Sequence, residues 1–195
     1  KKGRLTKREL HSLCGMLNWL SPLIRGSRPY LRSLWDLFKN LKKRERGRVW
    51  LSKLARDDLG WWLQALERLG DDGYKVQWKE LDMEDFVVVA SDASGDWGCG
   101  AWWKGGHYQH RWTQKEQAWD SMPRKELHPI VEVAKQIGPD LTGKILLAAT
   151  DSITNAYAIN AGSSSSPEGT ALLKQLAELE RKHDFETVSV WLPRE

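Results

Sequence analysis

Long apolar runs are missing from this chain. The longest, Phe86–Ala90 and Ile145–Ala149, are strand-sized, whereas a membrane-crossing helix needs about 20 apolar residues. Cysteine is scarce. Cys14 and Cys99 are the two present, and their spacing is not that of a metal site. A disulfide framework is therefore excluded, and reduced thiols in an intracellular protein are expected. Lys1–Leu10 has no apolar core, which excludes a secretory leader there. An initiator Met is also missing, so we expect a piece of a longer polypeptide, cytoplasmic or nuclear, with no membrane partner. A chain of 195 residues buries about two-thirds of its unfolded surface, so a core without staples is sufficient.

Tryptophan, by contrast, is abundant, with 12 residues. That is more than a small core needs, and it leaves rings for packing between the two halves of the chain or for a partner. Charge is unevenly placed. Lys1–Arg56 holds 16 Lys/Arg against 3 Asp/Glu, and the remainder holds 14 against 23. A basic arm on an acidic body points to a polyanionic partner, with Lys39, Lys42, Lys43, Arg44, Arg46 and Arg48 as its densest stretch.

Up to about residue 80 the pattern is helical. Thr6 and Glu9 form a capping-box pair ahead of Leu10, Leu13, Cys14 and Leu17, and Ser21-Pro22 closes that helix. Pro29 suits the start of a second helix with Leu31, Leu34, Phe38 and Leu41 inward. A third is expected over Ser52–Leu69, with Leu59, Trp62, Leu63, Leu66 and Leu69 on one face and Gly70 as its cap. Asp71-Asp72-Gly73 reads as a solvated turn, not as a polymerase carboxylate pair. Residues 1–80 are thus expected to be a small, basic, all-helical segment.

Residues 81–195 read differently. Phe86–Ala90 is a buried strand, and Gly98–Trp103 and His107–Trp112 form a hairpin about Gly105-Gly106. A helix over Met122–Gln136, a strand over Ile145–Thr150, helices over Ser152–Ala161 and Thr170–His183, and a strand over Val188–Leu192 follow. This order predicts an α/β domain with a mixed five-stranded sheet, opening as an antiparallel meander and continuing through crossovers.

Three carboxylates stand out against this frame. Asp92 and Asp151 each follow a buried strand, and Glu126 lies near a helix start, one turn before Ile130. If the two strands are neighbours, the aspartates meet at one sheet edge and a helix packed there delivers Glu126. Three converging carboxylates need a cation to stay ionised. Hard oxygen ligands favour Mg²⁺, with Mn²⁺ as substitute, and two such ions about 4 Å apart suit phosphodiester cleavage. Each residue has a plainer use, Asp151 as a helix cap above all. The five histidines show no metal-ligand spacing.

The motifs Asp92-Ala93-Ser94, Gly98-Cys99-Gly100-Ala101, Lys125-Glu126-Leu127 and Thr150-Asp151-Ser152, with Ala156–Asn160, resemble the ribonuclease H domain of retroelement reverse transcriptases. The resemblance is to the DIRS-type, tyrosine-recombinase retrotransposons. Upstream, Leu5–Leu10, Gly15-Met16-Leu17, Arg28–Leu31 and Asp58–Leu63 are similar to the thumb or connection region of the same polyproteins. The resemblance implies a ribonuclease H-like fold and hydrolysis of the RNA strand of RNA–DNA hybrids. Asp92, Glu126 and Asp151 would be the metal ligands, Ser94 would contact nucleic acid, and the rest of the polyprotein would be a partner. Ser152 replaces the family's Asn, and the family's fourth carboxylate, which follows a segment like Trp191–Glu195, is not in the chain. The alternatives are a catalytically silent module of the same fold and a three-carboxylate nuclease or integrase acting on DNA.

Overall fold

The structure is a computed structural model that describes residues 4–41, 48–69, 80–119 and 121–193. The chain divides into two compact units, Lys1–Trp78 and Lys79–Glu195. Among the described residues, no helix is long and apolar enough to cross a membrane.

The first unit contains strand β1 (Arg4–Thr6), helix α1 (Lys7–Leu20), helix α2 (Arg32–Leu41), strand β2 (Arg48–Trp50) and helix α3 (Lys53–Leu69). The Thr6 capping box forms as expected, with Glu9 N–H donating to Thr6 Oγ1 at 3.2 Å and Thr6 N–H to Glu9 Oε2 at 2.8 Å. Pro29 lies in a 3₁₀ turn, Arg28–Leu31, and the α-helix starts only at Arg32.

The unit is not all-helical. β1 and β2 pair antiparallel, with Leu5 opposite Val49, and the Arg4 guanidinium lies 4.1 Å from the Trp50 ring centroid. Three-residue strands are too short to show a period in the sequence. The buried stripe of α3 is also displaced from expectation. Ala55, Asp58, Trp62 and Ala65 are inward, whereas Leu63 is 59% exposed. A polar residue inside the stripe hid its true register: the Asp58 carboxylate accepts Ser33 Oγ–H at 2.6 Å. Tyr30 stacks on Trp61 at 4.0 Å beside that core. Gly70 and the Asp71-Asp72-Gly73 turn lie outside the described residues.

The second unit holds strands β3 (Phe86–Ala93), β4 (Gly98–Trp103) and β5 (Gly106–Arg111), a short helix α4 (Gln114–Gln117), helix α5 (Met122–Ile137), strand β6 (Ile145–Thr150), helices α6 (Ile153–Ala161) and α7 (Pro167–His183), and strand β7 (Glu186–Trp191). The sheet order is β5-β4-β3-β6-β7. The β5-β4-β3 part is antiparallel, and β3-β6-β7 is parallel. Val89, Ala101, Leu146 and Ala148 pack with Ile130, Val131 and Ala134 of α5 and Leu172 and Leu176 of α7. Side chains alternate across a sheet, and Val88, Trp102 and Val190 on the opposite face stay exposed.

Gly98 is fixed by close packing, since a Cβ there would overlap the carbonyl of His110 on the neighbouring strand. α4 is an element that periodicity does not reveal. One turn of helix offers no repeat, and its stability comes from a second capping box, Thr113 with Glu116.

Candidate active site

Parallel pairing of β3 with β6 aligns Ala90 with Ala149. Two residues further along the same register, Asp92 stands beside Asp151, on strands that neighbour one another at about 4.8 Å. Asp92 lies within β3, which runs on to Ala93, and not beyond the strand as its apolar run suggests. Pairing with β4, where Asp92 faces Gly100, carries the strand past the end of its hydrophobic stretch. The Asp92 carboxylate accepts the Ala93 N–H at 2.8 Å, which fixes its direction.

Asp151 follows β6 directly, and the indole N–H of Trp191 donates to its carbonyl at 3.1 Å. It is not the cap of α6: Ser152 occupies that position, with no side-chain cap bond. Asp92 and Asp151 both line an open depression of about 1270 Å³, together with Trp97, Trp102, His107 and Arg111.

Glu126 comes from the second turn of α5, and Asn155 of α6 ties it in. Asn155 is buried and stands one helical turn beyond Asp151. Its Nδ2 donates to the Pro123 carbonyl at 2.8 Å and to Glu126 Oε2 at 3.4 Å. All three carboxylates are thus brought toward one end of the β3–β6 pair. They do not close into a single tight cluster, since their oxygens are not all within 4.8 Å of one another.

Lys125 is almost fully buried beside Glu126. Its ammonium donates to the Gly95 carbonyl and, at 3.2 Å, to that of Gln117, pinning the β3–β4 turn to the start of α5. Sequence reasoning missed Asn155 and Lys125 as supports. The one available signal was a polar residue four positions after Asp151, one helical turn on.

Ser94 is exposed in the β3–β4 turn, and its Oγ accepts the backbone N–H of Trp97 at 2.8 Å and of Gly98 at 3.3 Å. The Ser94 carbonyl accepts the Trp112 indole N–H at 2.8 Å. In the basic arm, Lys39 is exposed, 4.0 Å from Asp36, and Arg48 lies exposed on β2. Lys42, Lys43, Arg44 and Arg46 lie outside the described residues.

A second group of side chains was not foreseen. Among the described residues, His110, Glu116 and His128 offer ligand atoms that lie within 4.8 Å of one another. They come from β5, α4 and α5, so no local spacing announces them. Burial pushes the Glu116 carboxyl upward, but hydrogen bonds from Thr113 and His110 together outweigh it and hold the pKa at about 2.

No family model and no curated protein matches the chain. Solved structures are similar to it at low identity. The protease–reverse transcriptase of prototype foamy virus is 16% identical, with 96% of this chain and 25% of that chain covered and a TM-score of 0.40. Ribonuclease H1 from the halophilic archaeon Halobacterium salinarum NRC-1 is 12% identical, covering 56% of this chain and 86% of that one, with a TM-score of 0.40. LC11 ribonuclease H1, solved with an RNA/DNA hybrid, is 13% identical over 56% of this chain and 85% of that one, also with a TM-score of 0.40. This chain spans about a quarter of the length of the foamy virus chain.

The second unit has a ribonuclease H-like fold. The assignment rests on its own sheet, an antiparallel meander joined through its first strand to parallel β6 and β7 with helices between them. In this ribonuclease H-like unit the central parallel pair carries Asp92 and Asp151 at the same end, where α5 and α6 converge.

Proposed function

We propose that this chain is a metal-dependent endonuclease that hydrolyses the RNA strand of RNA–DNA hybrids, as part of a retroelement reverse transcriptase of the DIRS type. The observation that carries the reading is the placement of Asp92 beside Asp151 on adjacent parallel strands, with Glu126 tied to the same end by Asn155. The donor set is all carboxylate, which fits a hard divalent cation and suits Mg²⁺ or Mn²⁺. When bound by Asp92, Glu126 and Asp151, the cations supply an activated water and charge stabilisation at the scissile phosphate.

The chain's own residues do the positioning. Asp92 is oriented by the Ala93 amide, and Asp151 is held through its carbonyl by Trp191. Asn155 restrains Glu126, and Lys125 fixes the turn that begins at Ser94. The open depression beside the aspartates gives a duplex access to them, with Arg111 at its rim to meet phosphate. Hybrid selection falls to duplex shape and 2′-hydroxyl contacts, in which Ser94 takes part. Lys39, Lys42, Lys43, Arg44, Arg46 and Arg48 bind phosphates, and the remainder of the polyprotein completes the enzyme.

The test is cleavage of a strand-labelled RNA–DNA hybrid in Mg²⁺ and in Mn²⁺, by this chain and by one extended beyond Glu195. Cleavage confined to the RNA strand and lost in Asp92→Asn is expected. Failure of both chains to cut in either metal overturns the reading. Affinity for the hybrid should fall steeply with salt, as phosphate-dominated binding does.

A further inference from the structure

His110, Glu116 and His128 meet on the side of α5 away from Glu126. Residues two apart on a helix point about 200° from one another, so His128 faces β5 and α4 while Glu126 faces α6. The His110 Nε2–Glu116 Oε2 distance is 2.9 Å, and the His110 and His128 ring centroids are 5.7 Å apart. Glu116 Oε2 is already oriented by the Thr113 N–H and Oγ–H, each at 2.7 Å. Among the described residues, no hydrogen bond reaches the half-buried ring of His128. Trp112 and Trp119 wall the group, with centroids 5.7 and 5.6 Å from that of His128. Arg124 sits 3.8 Å from the Trp119 ring centroid, and Glu132 and Lys135 pair with each other one and two turns beyond His128.

We propose that His110, Glu116 and His128 form a binding site for one Zn²⁺ ion, with water as the fourth ligand, separate from the carboxylates of the proposed active site. Two imidazoles and one carboxylate are a donor set that borderline divalent ions favour, with ligand distances near 2.0–2.2 Å. Mg²⁺ prefers oxygen donors and does not compete for two ring nitrogens. Ligands around a tetrahedral ion of that size are spaced about 3.4 Å apart, so the present separations need only small side-chain movements. For Nε2 of His110 to bind the ion, the proton now lying between it and Glu116 moves to Nδ1 of the same ring by exchange with solvent, so His110 binds as neutral imidazole and the ion takes the proton's place beside Glu116. The ion joins edge strand β5 and the single turn of α4 to α5. It would act as a clamp on the helix that carries Glu126, and its existence does not depend on the nuclease reading.

The experiment is a titration of the full chain with Co²⁺ as a spectroscopic probe, followed by displacement with Zn²⁺, in the wild type, Asp92→Asn/Asp151→Asn, His128→Asn and His110→Asn. The expected result is one Co²⁺ per chain with the intense visible absorption of four-coordinate cobalt, displaced by one equivalent of Zn²⁺. The aspartate variant should keep this signal. Each histidine variant should weaken binding by about 100-fold or more, because loss of a ligand exceeds the 10–100-fold typical of losing a supporting contact. Two histidine variants guard against one that fails to fold, and the wild-type spectrum decides the matter without either. Absence of one-to-one four-coordinate cobalt in the wild type overturns the proposal. So does a signal that disappears with the aspartates or survives in a folded histidine variant.

Discussion

Asn155→Ala probes the link between α6 and the start of α5. Asn155 is 2% exposed, and its Nδ2 serves Pro123 O at 2.8 Å and Glu126 Oε2 at 3.4 Å. Removal deletes a buried hydrogen bond worth about 0.5–1.5 kcal/mol to a carbonyl that α5 also pairs, and a long contact to a half-exposed carboxylate worth a few tenths. The sum is about 1.3 kcal/mol, or a fall of roughly 5 °C in Tm for a unit of this size. Asn155→Asp should cost more, because a donor becomes a second carboxylate facing Glu126. Urea unfolding of the full chain, followed by circular dichroism, measures both variants. If Asn155 positions Glu126 as a ligand, the alanine variant also needs about tenfold more Mg²⁺ for half-maximal cleavage. An Asn155→Ala chain within about 0.5 kcal/mol of wild type, with an unchanged Mg²⁺ requirement, would refute the reasoning.

Three further outcomes follow from the packing. Gly98→Ala drives a methyl into the His110 carbonyl on the neighbouring strand and should cost about 2 kcal/mol or more, read as a lower urea midpoint; an unchanged midpoint would mean that β4 and β5 are not in this register. Asp58→Ala removes the acceptor of Ser33 Oγ–H inside the first core and should destabilise that unit by about 2–3 kcal/mol, whereas Ser33→Ala should cost less; equal and negligible effects would count against a buried pair. Burial pushes the Cys14 thiol up to about 11, with a hydrogen bond from its own backbone opposing in part. The unfolded thiol ionises first as pH rises, so Cys14 contributes stability that is intact below about 8.5 and is lost as pH climbs toward the folded value. Cys14→Ala should flatten that alkaline decline, and native Cys14 should resist alkylation at pH 8 until the chain is unfolded.

Much of the second unit was legible because its strands and helices carry strong local signals. Phe86–Ala90 and Ile145–Ala149 are short apolar runs that read as strands, although β3 is covered on one face only and Val88 stays exposed, and Gly105-Gly106 marks the β4–β5 hairpin. The order of elements then leaves few sheet topologies open. The first unit was less legible. A polar residue at Asp58 interrupts the inward stripe of α3, and the β1–β2 pair joins strands more than forty residues apart, each too short for a pattern.

By itself, then, the sequence determined the mixed sheet, the basic arm and the three carboxylates at the ends of recognisable elements, because these depend on periodicity, composition and chain order. The tertiary structure decided what depends on register and on contacts between distant elements. Pairing of β3 with β6 sets Asp92 beside Asp151, and Asn155 reaches across from α6 to Glu126. His110, Glu116 and His128 become one group only when β5, α4 and α5 pack together. A one-residue slip in that register would turn every β3 side chain to the other face and take Val89 out of the core under α5; pairing with β4 and β6 and burial of that one face hold the alignment.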